Sequence, residues 1–261
     1  MYNLQYMECK VCQRQARLTK TLTVRQKYQA EYYMCDFCGF MFVGQPSWLK
    51  EAYEKSINIT DTGYVTRNVY LSKKTLILFS LVFGTNFTYL DYAGGYGMLA
   101  RLMRDYGLNF LTLDPHTPNL FAQGFEYNNE EIKAMTCFEC FEHFASPILE
   151  IEKILKISKN IFFSTYLLPE KEPGNDWGYF GTEHGQHISF YSLKTLKFLA
   201  EKYKLNLYTD KNNMHFLTTK KIGSLTFKII LFLSRLQIDI LIKKILNSKT
   251  TSDYDFLRKI Q

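Results

Sequence analysis

The sequence has no uncharged apolar run long enough to span a bilayer, and its opening stretch, MYNLQYMECK, lacks the basic and apolar regions of a secretory leader. The nearest approach to a span, SLTFKIILFLSRLQIDILIKKIL at residues 224–246, is interrupted by Lys228, Arg235 and Asp239. The expectation is a cytoplasmic protein in which residues 224–246 pack on the core, join a homodimer or touch a membrane surface from one side. There is also no dense block of Lys and Arg. The net charge of +7 is spread along the chain, which suits an anionic small molecule better than a dedicated nucleic-acid partner. Internal repeats and low-complexity linkers are missing too, so the chain reads as one large domain with a small appendage. Histidine is scarce, at 5 residues, and three of the five fall in two short motifs.

Hydrophobic residues make up 46% of the 261 positions, enough for a substantial core and too many for a disordered chain. The six cysteines divide into two sets. Cys137 and Cys140 lie in an apolar stretch and read as filler. Cys9 with Cys12, and Cys35 with Cys38, form two C-x-x-C pairs. In a reducing compartment such thiols predict a metal rather than disulfides, and four thiolates close the tetrahedron of a structural zinc ion. Residues 1–45 are therefore expected to be a zinc ribbon with a long hairpin between the pairs, Gly39 allowing the tight turn after Cys38.

Beyond the ribbon, residues 46–80 read as helical, starting near PSWLKEAYEKS, with a second helix over 65–82. The chain then alternates. FTYLDY, LNFLTLD, AMTCFECF and NIFFSTYLL read as strands; GMLARLMRDYG, PILEIEKILKIS and SLKTLKFLAEKYK read as helices. LNLYTD and MHFLTTKK make an antiparallel pair. This order predicts an α/β fold, a Rossmann-like doubly wound sheet with an antiparallel edge strand.

The stretch YLDYAGGYGMLARLM places Asp91, Gly94, Gly95 and Gly97 between a strand and a helix. Glycines there let a ligand approach the backbone, and the next apolar strand ends in Asp114, where such folds hold ribose hydroxyls. The spacing is not the dinucleotide fingerprint, and an acidic residue at its head disfavours a pyrophosphate. A ligand with a cationic amine fits better, which points to S-adenosylmethionine.

Taken together, YLDYAGGYGMLARLM, LNFLTLDP, AMTCFECFEHFASP, NIFFSTYLLP and HISFYSLKTLKFLAEKYKL resemble the class I S-adenosylmethionine-dependent methyltransferases. The resemblance is to the type 12/23-like branch, whose members often modify surface polysaccharides, and it covers roughly residues 60–220. It implies a methyltransferase domain over 46–220 with N-terminal cap helices, followed by a helical extension over 221–261. It also implies that Asp91 and the glycine loop surround the methionine part of the cofactor and that Asp114 and Pro115 border the adenosine. Tyr64 and Arg67 would clamp the carboxylate. In the family pattern D-x-G-x-G-x-G, Ala93 stands for the first glycine here, which is compatible with the loop if its φ is negative.

Methyl transfer to a hydroxyl needs a base. Glu139 and His143, with Glu142 between them, end a strand at the ligand-binding edge. The loop DWGYFGTEHGQHISFYS, residues 176–192, offers Trp177, Tyr179, Glu183 and Gln186 to an acceptor and His184 and His187 as bases, His184 slightly ahead. The reading is an O-methyltransferase of a small polar acceptor, with a sugar, sugar nucleotide or phosphorylated or phosphoramidate precursor of a capsular polysaccharide foremost. Rival readings are an RNA or macromolecular methyltransferase using the ribbon as a clamp, a C-methyltransferase of a keto-sugar, and a non-catalytic scaffold.

Overall fold

The computed structural model describes residues 6–54, 61–236 and 238–260. Part of the helix expected across 46–80, residues 55–60, lies outside the described residues. Among those described, only one turn forms there, α1 (Leu49–Ala52). The second expected helix is α2 (Tyr64–Val82).

The larger sheet contains β5 (Thr88–Tyr92), β6 (Asn109–Leu113), β7 (Ala134–Cys137), β8 (Ile161–Ser164), β10 (Asn206–Thr209) and β11 (Met214–Thr218), in the spatial order β10-β11-β8-β7-β5-β6. The pairs among β5, β6, β7 and β8 are parallel, and β11 and β10 close the edge antiparallel. Strands β7 and β8 are buried throughout because helices cover both faces. Side chains alternate across the sheet, so neighbours enter opposite cores. Leu90, Leu111, Met135 and Phe163 pack with α4 (Pro147–Ile157) and α5 (Leu193–Lys202). Tyr89, Phe110, Ala134 and Phe162 pack with α2 and α3 (Met98–Asp105). The chain leaves β5 to one side for β6 and returns to the other for β7. That reversal opens a crevice beyond the carboxyl ends of the strands.

The smaller sheet is antiparallel: β1 (Tyr6–Glu8), β2 (Gln15–Val24), β3 (Tyr28–Met34) and β4 (Met41–Val43). Its fifth strand is β9 (Ser189–Phe190), which comes from the loop expected to bind the acceptor and pairs Met41 with Phe190. The cysteine turns belong to the main core as well. Cys9, Cys35, Cys38, Phe40 and Phe42 lie in the same buried cluster as α4 and α5. The cap of α5 is tied to them through Thr195 Oγ1, which donates to the Cys38 carbonyl at 3.0 Å.

Residues 224–246 are not one helix but α6 (Ser224–Leu233), a 3-10 turn (Ser234–Leu236) and α7 (Ile238–Ile245). Phe227, Ile230 and Leu231 fasten α6 to the core. The last helix, α8 (Thr250–Ile260), is held by Asp253, which receives two hydrogen bonds from Arg104 at 2.6 and 2.8 Å.

Candidate functional site

Asp91 ends the crevice side of β5 and is almost fully buried. Thr136 Oγ1 donates to it at 2.7 Å from the adjacent strand. Burial, together with the charge of Asp114, pushes its carboxyl up to about 7, although the Thr136 bond opposes this. Gly94 allows the chain to fold over that carboxylate, because a Cβ at this position would come within 2.6 Å of Asp91 Oδ2 and 2.5 Å of Thr112 Oγ1. Gly97 is equally committed: its φ is +81° and a Cβ would meet Asn119 Oδ1 at 2.3 Å.

Ala93 departs from the expectation. Its φ is +56°, in the left-handed region and not at the negative value that would suit alanine. The loop keeps its glycine-type shape and alanine bears the strain. Ala93→Gly is therefore expected to raise stability by about 1 kcal/mol, the left-handed penalty for a Cβ less the extra chain entropy of glycine. Denaturant unfolding of the two proteins checks this.

Asp114 faces the loop. Its Oδ2 accepts from Gly95 N–H at 2.9 Å, and its Oδ1 accepts from the N–H groups of His116 and Thr117 at 2.8 and 2.9 Å. A carboxylate has about four acceptor sites, so room remains for a hydroxyl. Pro115 and His116 are exposed beside it. The Tyr64 hydroxyl lies at the loop, 3.6 Å from where a Cβ of Gly95 would stand, and burial pushes it up to about 12. Arg67 points both terminal nitrogens at Asp61, at 3.0 and 2.7 Å. As the structure stands, its fork is taken by that carboxylate instead of being open to a ligand.

Beyond β7 the chain turns sharply. Glu139 adopts φ +49° and is held to β8 at both ends: its N–H donates to Ser164 Oγ at 2.8 Å, and Ser164 Oγ donates to its carboxylate at 2.6 Å. The turn Phe141–His143 follows, locked by β9 through Ile188 N–H to the Glu142 carbonyl and Ser189 Oγ to the Phe144 carbonyl. Glu142 is fully buried, and neither carboxylate oxygen makes a well-formed hydrogen bond, although the Tyr179 and Thr165 hydroxyls act on it. Burial, and then the charge of Glu139, push it up to about 8, while the Tyr179 and Thr165 hydroxyls pull the other way.

His143 and His187 stand beside Glu142, and one ligand atom from each of the three lies within 4.8 Å of the others. Each imidazole faces a backbone carbonyl with Nδ1: His143 with Gln186 O at 3.1 Å, His187 with Tyr179 O at 2.6 Å. A carbonyl only accepts, so His187 Nδ1 carries the proton and its Nε2 keeps a lone pair, whereas His143 Nδ1 is shared between the Gln186 carbonyl and the Tyr53 hydroxyl, which can donate or accept. Burial lowers His143 to about 4 and His187 to about 3, which keeps both neutral at pH 7. His184 differs. Its Nδ1 accepts from Gln186 N–H at 3.1 Å, and its Nε2 lies against Gly181, where a Cβ would come within 2.2 Å. The slight preference for His184 over His187 thus has no support in the loop geometry.

Of the proposed acceptor-binding residues, Glu183 is exposed and Trp177 packs on Tyr179 and Phe180 at 5.3 and 5.1 Å between ring centres. The Tyr179 hydroxyl is tied to Thr165 and Tyr166, and Gln186 donates its amide to the Ala52 carbonyl at 2.8 Å. No motif in the sequence pointed to the segment that anchors this loop. Trp48 Nε1 donates to Gly185 O at 2.8 Å, Arg25 N–H donates to Thr182 O at 2.7 Å, and the Tyr53 hydroxyl lies 2.9 Å from His143 Nδ1. These contacts join residues more than 80 positions apart, so no local pattern carries them. Gly185 has φ +70°, and a Cβ would strike Trp48 Nε1 and Val24 Cγ1 at 2.7 Å. Gly185→Val is expected to destabilise the protein by roughly 2–4 kcal/mol through strain and overpacking, read as a lowered melting temperature.

A second cluster lies in the small sheet. The four sulfurs of Cys9, Cys12, Cys35 and Cys38 fall within 4.8 Å of one another, with Cys9–Cys38 at 3.5 Å and Cys12–Cys35 at 3.4 Å. Four thiolates on one tetrahedral ion stand about 3.8 Å apart, so this donor set fits a thiophilic metal.

Residues 64–209 match the sequence profile of the family described as "Methyltransferase domain". No curated protein sequence is significantly similar to the chain. Among solved structures, the plantazolicin methyltransferase BpumL in complex with SAH is 13% identical, with 74% of this chain and 83% of that chain covered at a TM-score of 0.44. The magnesium protoporphyrin IX methyltransferase ChlM from Synechocystis PCC 6803, with bound SAH, is 9% identical over 65% and 90% of the two chains at a TM-score of 0.42. Human N-acetylserotonin methyltransferase in complex with SAM is 15% identical over 59% and 51% at a TM-score of 0.42.

Proposed function

The chain belongs to the methyltransferase-domain family, and from that premise we propose that it is an S-adenosylmethionine-dependent O-methyltransferase of a small, hydroxyl-bearing acceptor. The observation that supports this most is an acidic cradle and a pair of neutral imidazoles on the same edge of one sheet. Asp91 and Asp114 would take the cationic amine and the ribose of the cofactor; no phosphate would be stable between them. When bound, the cofactor supplies an electrophilic methyl on a sulfonium. His187 or His143 takes the acceptor's hydroxyl proton on Nε2, while Tyr179 O or Gln186 O fixes the ring through Nδ1. The turn at Glu139, clamped by Ser164, leads from β7 into the turn that carries His143.

The acceptor class we propose is a sugar, a sugar nucleotide or a phosphorylated or phosphoramidate precursor of a surface polysaccharide. In support, the half-exposed rings of Tyr53 and Tyr166 flank the histidine turn and Tyr179, as aromatic faces flank hydroxyl-rich ligands. The four thiols of the small sheet would hold structural zinc.

The deciding experiment is calorimetric titration with S-adenosylhomocysteine, followed by methyl transfer from the labelled cofactor to a panel of such acceptors. His187→Ala is expected to lower kcat on the order of 100-fold to 10,000-fold without changing cofactor affinity. No cofactor binding by the folded protein would leave the scaffold reading, and strong salt-dependent RNA binding would favour a macromolecular acceptor.

One observation favours a divalent cation assisting at this edge. Glu142 has two buried oxygens without a well-formed hydrogen bond next to two imidazoles that face backbone carbonyls, which is the donor set and outer support of a metal ligand group. Calorimetry with Mn²⁺ tests it: binding that is lost in Glu142→Gln is the expected result, and binding that Glu142→Gln retains removes the cation from this site.

A further inference from the structure

The molecule carries a second surface feature, away from the histidine turn and independent of the methyl-transfer reading. Helix α6 and the 3-10 turn after it have two opposite apolar faces. Phe227, Ile230, Leu231 and Ser234 are buried against the core. Leu225, Ile229, Phe232 and Leu236 recur at helical spacing on the other side and are exposed, Leu225 at 71%. Helix α7 continues the feature with Ile240, Leu241 and Ile245, the last 83% exposed.

The charges around this face have one sign. Lys220, Lys221, Lys228, Arg235, Lys243 and Lys244 are all exposed, and Lys228 and Arg235 flank the α6 stripe directly. Between residues 220 and 249 the one acidic side chain, Asp239, is buried and faces Lys73 at 3.8 Å. An open groove of about 490 Å³ adjoins the stripe, lined by Leu81, Val82, Ile229 and Ile230 together with Lys220 and Lys221. An apolar trough carrying two ammonium groups matches an acyl chain with an anionic headgroup. No helix among the described residues is long and apolar enough to cross a membrane, so any contact of this kind lies along the surface.

We propose that α6 and α7 form a docking surface for an anionic lipid bilayer, with the exposed apolar stripe in the headgroup boundary and the flanking lysines and Arg235 on the lipid phosphates. A soluble acidic protein would match the charge but would leave the apolar stripe without a match. A second copy of this chain would match the stripe but would bring like charges together. The bilayer satisfies both features at once. Docking would hold the enzyme where a lipid-linked or membrane-delivered acceptor is made.

The test is co-sedimentation of the full chain with phosphatidylcholine vesicles, with and without phosphatidylglycerol, at low and high salt. Binding is expected on the phosphatidylglycerol vesicles alone and should fall with salt. Lys220→Glu with Lys221→Glu should weaken it by about fivefold or more per residue changed. Leu225→Glu with Phe232→Glu should abolish it while leaving the melting temperature and cofactor affinity unchanged, since both side chains are exposed. No sedimentation with anionic vesicles at low salt overturns the proposal. So does binding that both double variants retain. A dimer in light scattering that Leu225→Glu with Phe232→Glu dissociates, in a protein that ignores vesicles, also overturns it and assigns the face to a second copy.

Discussion

Asp91→Asn is expected to move stability and ligand affinity in opposite directions. The carboxyl is held at about 7 in the folded protein, well above the 3.8 it has in the unfolded chain. Below about pH 4 it is protonated in both states and costs nothing. As pH rises towards 7, the unfolded chain releases this proton while the folded protein retains it, so folding is penalised progressively and most heavily above pH 7. Asparagine removes that penalty. At pH 8 the variant should be more stable by up to about 4 kcal/mol, and near pH 4 it should match the wild type. Affinity for S-adenosylhomocysteine should fall on the order of 100-fold, because the ligand's amine loses a charge-assisted partner. In the wild type the same affinity should rise with pH up to about 7 and then level off, as the carboxylate becomes available. Melting curves and calorimetry at three pH values decide the matter. A variant less stable than wild type at pH 8 would mean that Asp91 ionises in the folded protein well below pH 7, its charge supported by a group not identified above.

Loss of one thiol of the proposed zinc site, as in Cys35→Ser, should have the other large effect, and it should reach the histidine turn. Structural zinc on four thiols contributes folding energy outright, so several kcal/mol of stability should disappear with the metal. The route to the site is physical. The thiol turns carry β4, β4 pairs with β9, and β9 holds the Glu142 carbonyl and Phe144 in place. Displacing that turn by an ångström costs on the order of 100-fold in rate. The cofactor cradle on β5 and β6 shares no strand pairing with the small sheet and meets it only through the common core. Methyl transfer should therefore collapse while S-adenosylhomocysteine affinity stays. Equal loss of both would show the small sheet to be a general scaffold, and an unchanged melting temperature after chelation would remove zinc from the account.

The larger sheet was legible because its residues follow rules that act locally. The runs ending in Asp91 and Asp114 are buried on both faces, and Gly107 and Pro147 mark helix boundaries as expected from their backbone freedom. The glycine loop was legible for the same reason, except at Ala93. There the tertiary position of the loop over Asp91 overrode alanine's preference, and no single-residue rule reports such a conflict. The break of residues 224–246 into α6 and α7 is of the same kind, since composition favoured one continuous helix.

The sequence by itself determined the cysteine quartet, the strand-helix alternation and the cradle of Asp91, Gly94, Gly95, Gly97 and Asp114. Spacing within a few residues decides each of these. Only the tertiary structure decided that the small sheet takes its fifth strand from the acceptor loop and that Trp48 and Tyr53 support that loop. It alone separated His143 and His187, which stand beside the buried Glu142, from His184, which is turned back on its own loop. The reason is geometric. A histidine's chemistry depends on which nitrogen meets a carbonyl, and the carbonyls that orient these rings are fixed by contacts between segments far apart in the chain.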